Sequence, residues 1–225
     1  MIVDPREGKL HMIRITVLGG TGYAGGAVVR EAARRGHQVL SVSRTAPAEP
    51  LPGVTYLTGS VLEPGVLRQA FTDADVVFEA LSPRGDMAGK VEGVFDQVLA
   101  LAREHGTKLG ILGGSSSLLV SPDGPRLIDA DPVPDEVRPE ADLGIHKLEV
   151  LKATGDDLDW FYLSPPAEFG AWVPSTETGE YRTSDDVLLR SPDGSSQISA
   201  ADLALAVLDE IEQPRHPRRR FHVAH

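Results

Sequence analysis

The chain has 225 residues, 41% of them hydrophobic, which suits one α/β domain with a sizeable core. Its 33 acidic and 22 basic residues give a net charge of −11, which argues against nucleic acid or an anionic membrane as the main partner. Cysteine is absent, which excludes disulfides and cysteine-ligated metals, and the seven histidines lack metal-ligand spacing. No apolar run reaches the length of a transmembrane helix and no signal peptide is recognisable, so we expect a cytoplasmic protein.

The first predicted element is a short buried strand at 13–17, preceded by a polar extension at 1–11 that we expect to be flexible. Three glycines in the pattern G-x-x-G-x-x-G then lead into a helix that ends near Arg35. In such a turn the first glycine permits the bend, the second admits a pyrophosphate, and the third lets the helix pack closely on the sheet. Free N–H groups at the start of the helix complete an anion site. The pattern predicts a dinucleotide site whose turn contains Gly19, Thr21, Gly22, Tyr23 and Gly25.

The second predicted strand, 37–43, ends in Ser43-Arg44-Thr45. Enzymes that use NAD usually place Asp or Glu here to hold the ribose 2′-hydroxyl, and a carboxylate would repel a 2′-phosphate. An arginine beside hydroxyl groups would bind that phosphate. Arg44 therefore favours NADP(H), with NAD(H) as a further possibility; the simpler interpretation is a solvated loop arginine.

Further strands are predicted at 54–58, 75–81, 108–112, 159–163 and 220–224, and helices at 64–71, 86–105, 136–154 and 200–211. This alternation predicts a Rossmann-like, doubly wound parallel sheet in one domain, 12–225, with a small substrate lobe built mainly from 114–140 and 165–198. A long loop at 121–135 is of a kind that often covers a site. Glu79 is unusual inside an apolar strand: it lies at the ligand-binding end of the sheet, or it faces solvent or pairs with a base.

Several blocks together carry a family resemblance. They are Gly19-Gly20-Thr21-Gly22-Tyr23-Ala24-Gly25 with Arg44, Gly113-Gly114-Ser115, His146-Lys147, Ser164-Pro165-Pro166 and Thr178-Gly179-Glu180-Tyr181. With them the chain resembles the NmrA-like, NAD(P)H-binding branch of the atypical short-chain dehydrogenases, over nearly all of 12–224. Within it, the blocks look like those of NADH-flavin reductases and biliverdin-IXβ/flavin reductases. The resemblance implies a reductase that uses NADPH on a flavin, a quinone or another planar acceptor, as a monomer or homodimer.

The resemblance also implies where the cofactor lies. Leu81 and Ser82 would flank its middle, and Lys147 would contact the nicotinamide ribose. The nicotinamide itself would be bordered by Gly114, Ser115 and Ser116, with Pro165, Pro166 and Ala167 behind the ring. Ser60 stands where the family commonly has an aspartate that contacts adenine.

One departure bears on the chemistry. Short-chain dehydrogenases typically carry Tyr-x-x-x-Lys, whose tyrosine gives a proton to a carbonyl, but here Leu143 stands four residues before Lys147. Hydride transfer to a flat acceptor needs mainly stacking on the nicotinamide. Ser115, Ser116, Ser117 and His146 are candidate proton donors or hydrogen-bonding groups. The simpler interpretation is that the serines cap loops and that His146 is a packed helix residue. Trp172 either stacks on the substrate or packs in the lobe. A non-catalytic NADP(H) sensor and an epimerase-like enzyme remain as alternatives.

Overall fold

The computed structural model describes residues 2–3 and 10–225. Two short strands, β1 (Ile2–Val3) and β2 (Leu10–His11), pair antiparallel. The remainder of the expected flexible extension lies outside the described residues. Among the described residues, no helix is long and apolar enough to cross a membrane.

The main sheet has eight strands in the order β5-β4-β3-β6-β7-β8-β10-β9, all parallel except β9, which pairs antiparallel with β10. This confirms the Rossmann-like, doubly wound sheet. The strands are β3 (Arg14–Leu18), β4 (Gln38–Ser43), β5 (Val54–Thr58), β6 (Val76–Glu79), β7 (Lys108–Leu112), β8 (Trp160–Ser164), β9 (Arg182–Ser184) and β10 (Arg219–Ala224). The helices are α1 (Tyr23–Arg34), α2 (Pro64–Phe71), α3 (Val91–His105), α4 (Leu127–Ala130), α5 (Arg138–Lys152) and α6 (Ala200–Glu212).

Helices cover both faces of the sheet, because strand side chains alternate between two apolar cores. On β3, Ile15 and Val17 belong to the core beneath α1 and α6, whereas Leu18 belongs to the core beneath α2 and α3. On β8, Phe161 and Tyr162 divide in the same way. The strand order reverses between β3 and β6, and at such a switch point the loops at the carboxyl ends diverge and leave a cleft.

Three stretches differ from the sequence expectation. The segment 168–198, expected to be irregular or a hairpin, contributes β9 to the edge of the main sheet. The long loop 121–135 contains the short helix α4 and bridges back through Leu119 and Arg126. A 3₁₀ turn, Gly85–Met87, precedes α3, so the predicted helix 86–105 begins as a different type of turn.

Candidate functional site

The glycine turn between β3 and α1 is held tightly by its own backbone. Gly19 has a φ of +83°, and a Cβ at this position would lie 2.6 Å from the carbonyl oxygen of Ala80. A Cβ at Gly25 would lie 2.3 Å from the carbonyl oxygen of Gly19. Gly25 therefore lets α1 come close to the turn at the end of β3, and α1 packs on the sheet as expected. A side chain at either position would clash with the backbone, so both must be glycine.

The start of α1 offers backbone donors to an anion. Gly22 is the N-cap residue, no side chain caps the helix, and its first turn holds no acidic residue. The first N–H groups of a helix lack partners within the helix, and its dipole favours negative charge there. With no Cβ at Gly22, a pyrophosphate can approach these groups directly. The turn therefore fits a dinucleotide.

Two cavities line the carboxyl edge of the sheet and meet at this turn. The arginine cavity, of about 600 Å³, is bordered by Gly19, Thr21, Gly22, Arg44, Gly59, Val61, Leu81 and Ser82. The central cavity, of about 370 Å³, is bordered by Gly22, Tyr23, Leu81, Ser82, Gly114, Ser115, Ser116, Lys147, Pro165 and Pro166, among others. Together they bring most of the predicted site residues into one elongated cleft. Three predicted site residues do not line this cleft. Gly25 lies under the glycine turn, Ser60 lies between the lining residues Gly59 and Val61, and His146 faces another cavity.

Arg44 borders the arginine cavity but already has a partner. Its Nη1 pairs with Oδ1 of Asp86, in the 3₁₀ turn before α3, and its side chain is 57% exposed. A 2′-phosphate bound here would replace or share the carboxylate of Asp86. The sequence gives no sign of this partner, which lies 42 residues away.

Glu79 and Lys147 form a buried ion pair at the edge of the central cavity. The Lys147 Nζ donates to Oε2 of Glu79 at 2.6 Å, and the two side chains are 5% and 1% exposed. The other carboxylate oxygen, Oε1, accepts the N–H of Leu81 at 3.0 Å. Glu79 thus lies at the ligand-binding end of β6 and pairs with a base, and it does not face solvent. The lysine lines the cleft, while its ammonium is held back by the carboxylate.

A buried phenol supports the loop after β7. Tyr162 donates from its hydroxyl to the carbonyl oxygen of Gly144 at 2.9 Å and accepts the N–H of Gly114 at 3.1 Å. A Cβ at Gly113 would lie 1.8 Å from the ring, so this position must be glycine. Burial raises the pKa of Tyr162 to about 12. The hydroxyl therefore stays protonated and uses its hydrogen bonds within the protein, so it does not replace the missing catalytic tyrosine.

The remaining candidates separate into two groups. Ser115 and Ser116 border the central cavity, whereas Ser117 accepts a hydrogen bond from Arg220 at 2.9 Å. His146 faces a different cavity, 3.4 Å from Oε1 of Glu92, with 46% of its side chain exposed, so it is not a packed helix residue. Trp172 is 67% exposed and borders both the central cavity and the cavity that His146 faces, so its ring is not buried by packing in the lobe.

The block Thr178-Gly179-Glu180-Tyr181 binds to α6 and lines neither cavity of the cleft. The buried carboxylate of Asp202, in the first turn of α6, accepts the N–H groups of Thr178 and Gly179 at 2.9 and 2.8 Å. The hydroxyl of Tyr181 donates to the carboxylate of Asp209, about two turns further along α6, at 2.6 Å. These contacts tie the segment before β9 to α6.

Comparison with known proteins agrees with this geometry. A family model described as NAD(P)H-binding matches residues 19–214. The chain belongs to this NAD(P)H-binding family. The family confirms NAD(P)(H) as the cofactor, and the matched region contains the glycine turn and both cavities.

Similar proteins span nearly the whole chain. The protein YwnB of Bacillus subtilis is 33% identical over 213 residues, which cover 94% of this chain and 98% of that protein. The structure of a candidate epimerase from Bacteroides thetaiotaomicron has a TM-score of 0.83 at 28% identity, and the match covers 96% of this chain and 98% of that one. A candidate NADH-flavin reductase from Streptococcus pneumoniae has a TM-score of 0.78 at 25% identity, covering 94% and 99%. These findings confirm the resemblance to NmrA-like atypical short-chain dehydrogenases.

Proposed function

We propose that this protein is an NADPH-dependent oxidoreductase that reduces a flat, conjugated small molecule such as a flavin or a quinone. The observation that carries the proposal is the elongated cleft, which runs from Arg44 past the glycine turn to an opening beside Trp172. The likeness to a candidate NADH-flavin reductase over almost the whole chain supports the same activity.

Arg44 supports the choice of NADPH. The guanidinium stands at the end of β4, where the adenosine ribose of a dinucleotide lies in such folds. An Arg–phosphate contact is charge-assisted, and Ser43 and Thr45 add neighbouring hydroxyl groups. Asp86 neutralises the guanidinium until the phosphate arrives.

The central cavity favours an acceptor that needs orientation more than a dedicated acid. NADPH, when bound, supplies the hydride, and the chain holds its acceptor flat against the exposed ring. Pro165, Pro166 and Phe169 contribute apolar lining, and Gly114 and Ser115 border the same cavity. Leu143 stands in the usual tyrosine position and borders the cavity without a titratable group. Protons then reach the reduced acceptor from water or from the Ser115 and Ser116 hydroxyls.

The test is NADPH consumption with riboflavin, flavin mononucleotide, a benzoquinone and a tetrapyrrole, beside an equilibrium titration with NADPH. We expect binding and turnover with at least one flat acceptor, and a higher kcat/KM with NADPH than with NADH. Tight NADPH binding without turnover on any of them would contradict the proposal.

A non-catalytic NADP(H) sensor is the second candidate, and the replacement of the family tyrosine by Leu143 is the observation that favours it. A sensor binds the cofactor, changes its surface and reports to a partner without consuming NADPH. An epimerase-like enzyme, the third alternative, would return the hydride to the same substrate, so it too would show no net NADPH consumption. Isomerisation of a substrate by the loaded protein would distinguish it from the sensor.

A further inference from the structure

A third cavity opens next to the central one, and no part of the cofactor is expected to fill it. This outer cavity, of about 750 Å³, lies between the segment that precedes α3 and the first turns of α5. Val91 and Leu143 form apolar parts of its wall, and Trp172 stands at the border with the central cavity. Its volume is in the range of small-molecule sites. A flat acceptor over the nicotinamide would extend its substituents into this space.

The outer cavity is strongly acidic. Its lining includes four carboxylates, against one guanidinium and the imidazole of His146. The guanidinium, Arg84, is already paired with Glu140 at 2.9 Å and lies 5.1 Å from the centre of the Trp172 ring. The carboxylates belong to Glu92, Glu136, Glu140 and Asp142.

The remaining pairings compensate part of this negative charge but not all of it. Asp142 pairs with Arg138, a residue outside the lining, at 2.9 Å, and Glu92 lies 3.4 Å from His146. Within the part of the chain that the structure describes, Glu136 has no cationic partner. An anion entering the cavity would meet an unpaired carboxylate and no free arginine.

We propose that the outer cavity receives the substituents of the acceptor and selects those without negative charge. The acceptor is then an uncharged or cationic flat ring, such as riboflavin or a neutral quinone, in preference to a flavin phosphate or a propionate-bearing tetrapyrrole. This inference rests on the proposed function, since it concerns the acceptor of the same cleft. Repulsion between exposed charges several ångströms apart is modest and screened by salt, and the net charge of −11 adds to it.

Riboflavin and flavin mononucleotide are the matched pair for the test, because they share one ring system and differ by one phosphate. Each is titrated into protein saturated with NADP⁺, at about 10 mM and about 0.5 M salt, with flavin fluorescence as the readout. We expect riboflavin to bind about tenfold more tightly at low salt, and the ratio to fall towards one at high salt, where the Debye length is only a few ångströms.

The double variant Glu92→Gln/Glu136→Gln should strengthen binding of flavin mononucleotide about three- to fivefold and leave riboflavin unchanged. Glu104→Gln is the matched control, since Glu104 is an exposed acid on the same helix, about 18 Å from Glu92 along the axis. This control should change neither affinity.

Three results would overturn the inference: equal or tighter binding of the phosphate at low salt, an equal gain for both flavins in the double variant, or no binding of either flavin. Binding of riboflavin with the expected selectivity but without hydride transfer supports the inference and contradicts the proposed function instead.

Discussion

At the scale of single residues, the ion pair between Arg44 and Asp86 makes cofactor choice testable in both directions. Arg44→Ala should weaken NADPH roughly ten- to a hundredfold and leave NADH little changed, because a charge-assisted contact contributes about 1.5–3 kcal/mol. Asp86→Asn should strengthen NADPH a few-fold, since the phosphate no longer competes with a carboxylate. Equilibrium titrations with both cofactors measure this, with Arg68→Ala as the control, since Arg68 is an exposed arginine on α2. Equal losses for both cofactors in Arg44→Ala would show that the arginine only supports its loop.

The buried pair of Glu79 and Lys147 gives a second prediction at this scale. Glu79→Gln leaves the Lys147 ammonium buried without a counter-charge, so the free energy of unfolding should fall by about 3–5 kcal/mol in urea. The double variant Glu79→Gln/Lys147→Met removes both charges and should recover most of that loss. It should nevertheless raise the KM for NADPH if the lysine contacts the ribose. Full NADPH affinity in the stable double variant would assign the pair to stability alone.

At the scale of elements, the local sequence predicts most of the fold. The strands 54–58 and 108–112 and the helix 64–71 have the predicted bounds, because apolar patterns end there at glycine, proline or aspartate. By contrast, β9 has three polar, mostly exposed residues, and its partner β10 lies far along the chain. This strand forms because it pairs with β10 and because Asp202 holds the segment before it. Neither contact produces a periodic pattern in the sequence.

The candidate site divides in the same way. Its lining follows from the glycine turn and from the rule that strand carboxyl ends share one edge. The sequence does not predict which distant residues contact each other at the site. Glu79 pairs with Lys147, 68 positions away, and Gly114 pairs with Tyr162, 48 positions away. Such pairs depend on tertiary packing, so no local pattern records them.

The glycine turn allows a prediction about the element it begins. Gly22 has a φ of −73°, which any residue adopts, and a Cβ there would lie 3.2 Å from the carbonyl oxygen of Gly19. This contact is tight but needs only a small shift, so Gly22→Val should fold with a slightly lower melting temperature than the parent, while NADPH affinity collapses. Gly25→Val, whose Cβ would lie 2.3 Å from the same oxygen, should lose stability as well. Thermal melts and NADPH titrations separate the two, and undiminished binding in Gly22→Val would exclude this turn as the phosphate site.

At the scale of the whole molecule, buried histidines make stability depend on pH. His222 lies in β10, fully buried, with its Nδ1 2.9 Å from the carbonyl oxygen of Ser164. A carbonyl only accepts, so Nδ1 donates. Burial disfavours the charged imidazolium, so the ring is neutral near pH 7. Burial lowers the pKa of His222 to about 4, and burial likewise lowers that of His37 to about 4. Unfolded histidine titrates near 6.5, so the unfolded chain binds more protons below that pH.

The sign of the effect follows from these values. The stability that each histidine contributes is fully present above about pH 6.5 and is lost as the pH falls towards 4, with a slope of at most about 1.4 kcal/mol per unit. His222→Phe removes one of these two buried histidines, so its free energy of unfolding should fall less steeply than that of the parent between pH 6.5 and 4. Urea unfolding of parent and variant across this range measures the difference in slope, whatever the variant's stability at neutral pH. Parallel profiles would mean that His222 binds a proton in the folded protein as readily as in the unfolded chain.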